Sequence, residues 1–187
     1  MTEKQYYVAC LDLEGRRCLV VGGGRVALEK ALALLACGAE VTVVAPQVAD
    51  ELAAQPVEVL AREYQVRDLD GRFLVVAATD DAAVNGAVSS DADRRNLLCN
   101  VADVPELCSF ILPAVHRRGP ITVAVSTGGA SPALAQWLRD RFAAQVGFEH
   151  EQLAGELRRL RPWVKRNFAT YEERRDWFRE QVARALG

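Results

Sequence analysis

Four short stretches of the chain carry residue types suited to chemistry. The first is Gly22-x-Gly24-x-x-Ala27, which directly follows the apolar run Cys18-Leu19-Val20-Val21 and opens a segment with helical periodicity. In that setting each residue type has a reason. Gly22 permits a tight turn, Gly24 lacks the Cβ that would keep a pyrophosphate from the backbone, and Ala27 lets helix and strand pack closely. The start of the following helix offers free N–H groups and the positive end of its dipole to an anion. The motif reads as a dinucleotide site; the alternative is a ligand-free glycine turn in an α/β domain. The second strand of such a site commonly ends in an acid for the ribose hydroxyls. Here it ends Val44-Ala45-Pro46-Gln47, with neither an acid nor an arginine for a 2′-phosphate, so the motif does not separate NAD from NADP.

The second stretch is Ala77-Ala78-Thr79-Asp80-Asp81, at the carboxyl end of a buried strand, where open α/β sheets bind ligands. Thr79 is placed to meet a ribose or a nicotinamide amide; equally, Thr79 or Asp80 caps the next helix, and both readings are compatible. The third is Asn100-Val101-Ala102-Asp103. A carboxylate there works as a general base if burial tunes its proton affinity, or is a turn aspartate ahead of Pro105. The fourth, Ser126-Thr127-Gly128-Gly129-Ala130-Ser131, is a strand-to-helix turn whose N–H groups suit carboxylates, or an ordinary helix cap. His116 and His150 stand alone and read as a solvated turn histidine and a helix-end histidine, with no metal site. Arginine pairs at 94–95, 117–118 and 158–159 read as solvated faces or as contacts to an acidic substrate.

These stretches need elements to position them. Buried strands are expected over 16–21, 40–45, 57–60, 72–78 and 97–101, alternating with helices over 25–37, 48–54 and 80–95. That alternation predicts an α/β fold: a Rossmann-type doubly wound parallel sheet. The pattern then changes. Strands over 109–115 and 120–125 are expected to form a hairpin whose turn is His116-Arg117-Arg118-Gly119. Ser131 and Pro132 start a helix carrying Leu134, Trp137, Leu138 and Phe142, and Gly147 breaks it. This small α+β unit is too apolar to cover its own faces and is expected to dimerise. Residues 151–187 read as helical, with Pro162 ending or kinking the first helix and a Thr170/Glu173 capping box starting the last. The expected divisions are 1–112 for nucleotide binding, 113–146 for the dimerisation hairpin and helix, and 147–187 for the helical segment.

Composition narrows the function classes. The net charge of -2 supplies no general basic field for nucleic acid. Lys4, Lys30 and Lys165 are the only lysines; arginine, the better fork for carboxylates and phosphates, carries nearly all the positive charge. The five cysteines form no C-x-x-C pair, which argues against a disulfide framework or a zinc site. No apolar run reaches membrane-spanning length and no leader is read at the N-terminus, so a reducing cytoplasm is the expected location.

Taken together, residues 18–27 (CLVVGGGRVA), 41–46 (VTVVAP), 76–81 (VAATDD), 100–103 (NVAD) with 109–113 (SFILP), and 123–132 (VAVSTGGASP) resemble the precorrin-2 dehydrogenase family, the dehydrogenase unit of sirohaem synthases. The resemblance covers about residues 6 to 146 and is weaker in the helical tail. It implies NAD-dependent oxidation of precorrin-2 to sirohydrochlorin, with ferrous iron insertion to give sirohaem as a second activity of some relatives. It implies that Asp103 is the catalytic residue and that Ser126, with Thr127 and Gly128, lies at the tetrapyrrole substrate. It implies that Gly22, Gly23, Gly24, Arg25, Val26, Pro46, Gln47 and Thr79 meet the cofactor. It also implies an intertwined homodimer. The family carries Ala-Pro where the ribose acid is missing, which accounts for Ala45-Pro46. The chain stops before the methyltransferase domain of the larger fused relatives, so precorrin-2 is expected from another protein. The rival readings are a non-catalytic nucleotide-sensing domain, which leaves Asp103 and the Ser126 turn unexplained, and a chelatase without dehydrogenase activity, against which the intact glycine turn argues.

Overall fold

A computed structural model describes residues 5–187. The expectation of no leader rests partly on Met1, Thr2, Glu3 and Lys4, which lie outside the described residues. The chain forms two compact units, the first reaching to Ile111 and the second spanning Leu112–Gly187.

The first unit is the expected doubly wound sheet. Its elements run β1 (Arg17–Val21), α1 (Arg25–Leu35), β2 (Glu40–Val44), α2 (Asp50–Ala53), β3 (Glu58–Leu60), β4 (Leu74–Ala77), α3 (Ala82–Asp93) and β5 (Leu98–Val101). All five strands are parallel, in the order β3-β2-β1-β4-β5. The strands are short runs of Val, Leu, Ala and Cys with hardly a polar break, because helices cover both faces. Alternate side chains serve the two layers. Cys18 and Val20 pack with Ala27, Ala31 and Leu34 of α1, while Leu19 and Val21 face Val88 and Ala92 of α3. Burial pushes the Cys18 thiol up to about 11 and the Cys99 thiol up to about 12, so both stay protonated hydrophobes at neutral pH.

The chain reverses direction across the sheet between β3 and β4, and a buried carboxylate secures that crossing. Asp68 sits in a 3₁₀ turn, Val66–Leu69. It accepts from Arg62 Nη1 and Nη2 at 2.8 and 2.6 Å and from the Gln65 N–H at 2.8 Å. Three donors leave this buried acid fully partnered.

In the second unit β6 (Ala114–Arg118) and β7 (Ile121–Val125) pair antiparallel, followed by α4 (Pro132–Ala143), α5 (Phe148–Asn167) and α6 (Tyr171–Leu186). The hairpin corrects the sequence reading. The expected turn residues His116, Arg117 and Arg118 lie inside β6, opposite Val123, Thr122 and Ile121, and the loop is Gly119-Pro120. A two-residue hairpin loop requires a positive φ, and Gly119 supplies it at +50°. His116 is accordingly no solvated turn histidine: its Nε2 is buried and unpartnered among the described residues. The expected strand start at residue 109 is also displaced. Residues 109–113 are irregular because their polar groups go to β5: Ser109 N–H to the Cys99 carbonyl at 2.9 Å, Cys99 N–H to Ser109 Oγ at 2.8 Å, and Asn100 Nδ2 to the Phe110 carbonyl at 3.1 Å. Pro162 does not end α5, which continues to Asn167. The turn after it is held by packing, with Val164 fully buried and Trp163 against Phe168 and Trp177. Thr170 and Glu173 form the expected capping box. Among the described residues no helix is long and apolar enough to cross a membrane.

Asp68→Asn is expected to destabilise the chain by about 2 kcal/mol near neutral pH, the usual cost of unpairing a hydrogen-bonded charge. The Arg62 guanidinium holds the Asp68 carboxyl below its usual range. The wild-type advantage is therefore full above the unfolded value of about 4 and shrinks as pH falls through the lowered folded value. Urea unfolding of both proteins at neutral and strongly acid pH measures it; a gap independent of pH would remove the carboxylate charge from the explanation.

Candidate nucleotide site and the second-unit turn

The carboxyl edge of the sheet is built around the turn after β1. Gly22 has φ +130°, in the range that disfavours side chains, and its N–H donates to the Val44 carbonyl at 2.9 Å. A Cβ on Gly22 would strike the Ala78 carbonyl, and a Cβ on Gly23 would strike the Gln47 carbonyl. The turn is thus wedged between the ends of β4 and β2 with backbone against backbone on both sides. Ala49 N–H donates to the Gly23 carbonyl at 2.9 Å, which ties down the 46–48 loop. Gly24 differs: nothing lies within 4 Å of where its Cβ would stand. That open cradle sits at the first turn of α1, where no side chain caps the helix and no acid stands in the first turn. The amides of Arg25, Val26 and Ala27 precede the first intrahelical bond, which Leu28 makes to the Gly24 carbonyl at 3.0 Å. The site fits a dinucleotide pyrophosphate: free donors, a positive dipole end, an exposed Arg25 and room for the anion.

The neighbouring helix makes the opposite choice. The N-cap of α3 is Asp81, which accepts from Ala83 N–H at 2.8 Å and Val84 N–H at 3.2 Å. Neither Thr79 nor Asp80 caps it, a correction to the sequence reading. A carboxylate already occupies those amides, whereas the first amides of α1 have no side-chain cap. Thr79 lies next to Gly22 and is locally bonded. Its Oγ1 is 2.8 Å from Asn85 Oδ1 and accepts from Asp81 N–H at 3.1 Å, while Asn85 Nδ2 donates to the Thr79 carbonyl at 3.0 Å. Asn85 is a buried polar residue that the sequence reading passed over; an asparagine inside a helix is the signal that was there to use.

Asp103 ends up on the same edge, beyond β4. The N–H of Ala102 donates to the Ala77 carbonyl at 2.9 Å, so the turn after β5 grips the end of β4. Asp103 has φ +62°, one of only two non-glycine residues with positive φ among those described. It is exposed in this unit. Cys108 closes the loop behind it: its Sγ accepts from Val101 N–H at 3.1 Å and faces the Val104 carbonyl at 3.3 Å. Gly22, Gly23, Gly24, Pro46, Gln47, Thr79 and Asp103 therefore share one sheet edge.

Ser126, Thr127 and Gly128 belong to the second unit, between β7 and α4. Ser126 Oγ accepts from Gly128 N–H at 3.2 Å, Thr127 Oγ1 from Ser131 N–H at 3.0 Å, and Ser131 Oγ from Leu134 N–H at 3.2 Å. The turn is a chain of hydroxyl caps whose outer member, Ser126, is exposed. His150 Nδ1 accepts from Gly147 N–H at 3.0 Å at the start of α5. Among the described residues no group of His, Cys, Asp and Glu gathers in a way that would hold a metal ion.

Comparison with known proteins follows this geometry. A family model described as "Putative NAD(P)-binding" matches residues 9–114, and one described as "Sirohaem biosynthesis protein central" matches residues 118–145. The siroheme synthase of Methylobacillus flagellatus is 42% identical over 181 residues, covering 95% of this chain and 39% of that protein. The siroheme synthase of Pseudomonas entomophila is 46% identical over 170 residues, covering 89% of this chain and 37% of its own. The chain thus spans about two-fifths of the curated relatives it matches. Among solved structures, SirC, a precorrin-2 dehydrogenase, superposes with a TM-score of 0.76 at 30% identity, over 95% of this chain and 89% of that one. On the match across the nucleotide-binding unit and on that likeness over nearly the whole chain, it belongs to the NAD(P)-binding family of sirohaem biosynthesis that includes precorrin-2 dehydrogenase.

Proposed function

We propose that the chain oxidises precorrin-2 to sirohydrochlorin with NAD as hydride acceptor, and that ferrous iron insertion into the product is a second activity. One observation carries the reading: the uncapped start of α1, with its open Gly24 cradle, shares a sheet edge with the Asp103 turn. The backbone amides of Arg25 and Val26 bind the pyrophosphate, Pro46 and Gln47 border the adenosine side, and Gly22 and Thr79 border the nicotinamide side. NAD, when bound, supplies the two-electron acceptor. Loss of a hydride from the macrocycle leaves a proton to be removed, and the Asp103 carboxylate takes it. Iron insertion displaces pyrrole N–H protons, for which the same carboxylate serves. Ser126, Thr127 and Gly128 hold substrate carboxylates through hydroxyl and N–H groups. Free thiols at all five cysteines support a reducing cytoplasm as the setting. Anaerobic incubation with precorrin-2 and NAD, followed by absorbance, tests the reading, with NADP as comparison and ferrous iron added afterwards. Pro46-Gln47 offers no cation to a 2′-phosphate, so NAD is expected to be used more efficiently.

The homodimer belongs to the same proposal. In the second unit Leu134, Trp137 and Phe142 of α4 are 48%, 54% and 45% exposed, and Val115 of β6 adds to the open apolar surface. Water-facing residues of that size and number mark an interface. Sedimentation is expected to give a dimer at micromolar concentration, converted to monomer by Leu134→Asp with Trp137→Asp. A wild-type monomer would remove the dimer.

The glycine geometry separates binding from folding. Gly24→Ala meets no protein atom, so it should keep the melting temperature and weaken NAD at least ten-fold by crowding the pyrophosphate. Gly23→Ala should lower the melting temperature, because the Gln47 backbone must move. Unchanged NAD affinity in Gly24→Ala would displace the phosphate from this cradle.

Asp103 is tested through its backbone as well as its charge. Asp103→Asn and Asp103→Gly both tolerate φ +62° and are expected to lower turnover about 10²–10⁴-fold with NAD affinity retained. Asp103→Ala should lose the same activity and, in addition, about 1 kcal/mol of stability from the left-handed backbone. Near wild-type turnover in the Asn and Gly variants would refute the base role.

A further inference from the structure

The arginines of the tail are not spread evenly over their helices. Arg158, Arg161 and Lys165 lie at i, i+3 and i+7 on α5, which puts them in one stripe. On α6, Arg175 and Arg179 lie at i and i+4, with Arg174 beside them. Together these residues line a groove of about 1010 Å³ within the second unit, and none of its lining residues is Asp or Glu. The floor is apolar: Leu157 and Val164 from α5, Phe178 and Val182 from α6. Some of the charge is already used. Arg174 donates to the Phe168 and Ala169 carbonyls, both at 2.9 Å, and Asp176 pairs with Arg175 at 2.8 Å and with Arg179 at 3.9 Å. Arg158, Arg161 and Lys165 have no ion-pair partner among the described residues.

Of the six cations around the concavity, Arg175 and Arg179 share Asp176 and Arg174 serves backbone carbonyls, which leaves Arg158, Arg161 and Lys165 on α5 as neighbouring like charges without a carboxylate partner among the described residues. The arrangement makes sense when the counter-charge comes from a ligand. Its floor favours a flat apolar body and its rim favours anionic groups at the edge of that body. The volume is that of a small-molecule site. A nucleic acid would instead call for a longer basic track than a groove between two helices offers.

We propose that the groove between α5 and α6 binds an amphipathic polycarboxylate with a flat apolar ring, the chemical class of the tetrapyrrole substrate. The choice of ligand rests on the proposed function. The groove would hold the macrocycle through its peripheral carboxylates, a separate role from the hydroxyl turn at Ser126.

The test uses the full chain and uroporphyrin, a fluorescent polycarboxylated ring that the chain has no means to oxidise with NAD. Titration of the triple variant Arg158→Gln, Arg161→Gln, Lys165→Gln is expected to show about ten-fold weaker binding, as three exposed charge contacts are lost. Raising the salt concentration should weaken the wild type toward the variant. The KM for precorrin-2 should rise by a similar factor. Arg94→Gln with Arg184→Gln removes cations outside the groove and should leave binding unchanged. Equal uroporphyrin affinity in wild type and triple variant would overturn the proposal, as would an equal loss in the outside-groove variant. Tighter binding of a short nucleic-acid duplex, lost in the triple variant, would also overturn it. Groove-dependent uroporphyrin binding by a chain that fails to oxidise precorrin-2 would uphold the groove and remove the dehydrogenase reading instead.

Discussion

A Rossmann crevice exists only if the chain leaving its first strand passes between the ends of the two strands beside it without pushing them apart. Here that passage is made by backbone alone. The Gly22 N–H bonds the end of β2 at 2.9 Å, and side chains at Gly22 or Gly23 would collide with the carbonyls of Ala78 and Gln47. The close approach sets β1 between β2 and β4, aims α1 at the crevice, and leaves Gly24 facing open space. A methyl group at either contact would cost more than the lost turn, because the loops that border the nucleotide are anchored to the same atoms.

Charge placement follows from which helix ends are left open. Of the three helices that begin near this edge, α1 and α3 have their first turns satisfied differently. Asp81 fills the start of α3, whereas α1 has no capping side chain and keeps its first amides open. The turn carrying Asp103 is held from three sides, by the Ala77 carbonyl, by the Cys108 thiol and through β5 by Asn100. This frame keeps a left-handed backbone at a non-glycine residue, the kind of local cost that persists where the surroundings over-determine it. In the second unit the charge logic runs the other way. Cations collect in a groove without acids, so a chain close to neutral in total still carries a concentrated positive site.

Much of the first unit was legible along the chain. The apolar runs of β1, β2 and β4 are short, rich in valine and bounded by Gly, Pro or Asp, and a parallel sheet buried on both faces leaves that mark directly in the sequence. The glycine motif was equally readable because its requirements are steric and local. The hairpin was not. Residues 109–113 are as apolar as a strand, yet their backbone is drawn to β5 by Ser109 and Asn100, partners about ten residues apart in sequence whose meeting depends on the folded sheet edge. The turn then moved to Gly119-Pro120, the place where positive φ comes free. Pro162 failed as a helix stop for the same reason: tertiary contacts of Trp163 and Val164 outweigh a local preference.

Residue type and order alone therefore determined the strand-helix alternation, the glycine turn after β1 and the candidate residues at the strand ends, since each depends on periodicity or on the size of a side chain. Folding decided which helix start stays free, that Gly23 is a packing residue, that Asn85 rather than solvent satisfies Thr79, and that Asp103 is exposed with a left-handed backbone. It also decided that arginines spaced along two helices face one another across a groove. These outcomes depend on which polar groups and charges meet across elements, and a contact between residues distant in the chain has no signature at either position until the chain has closed around it.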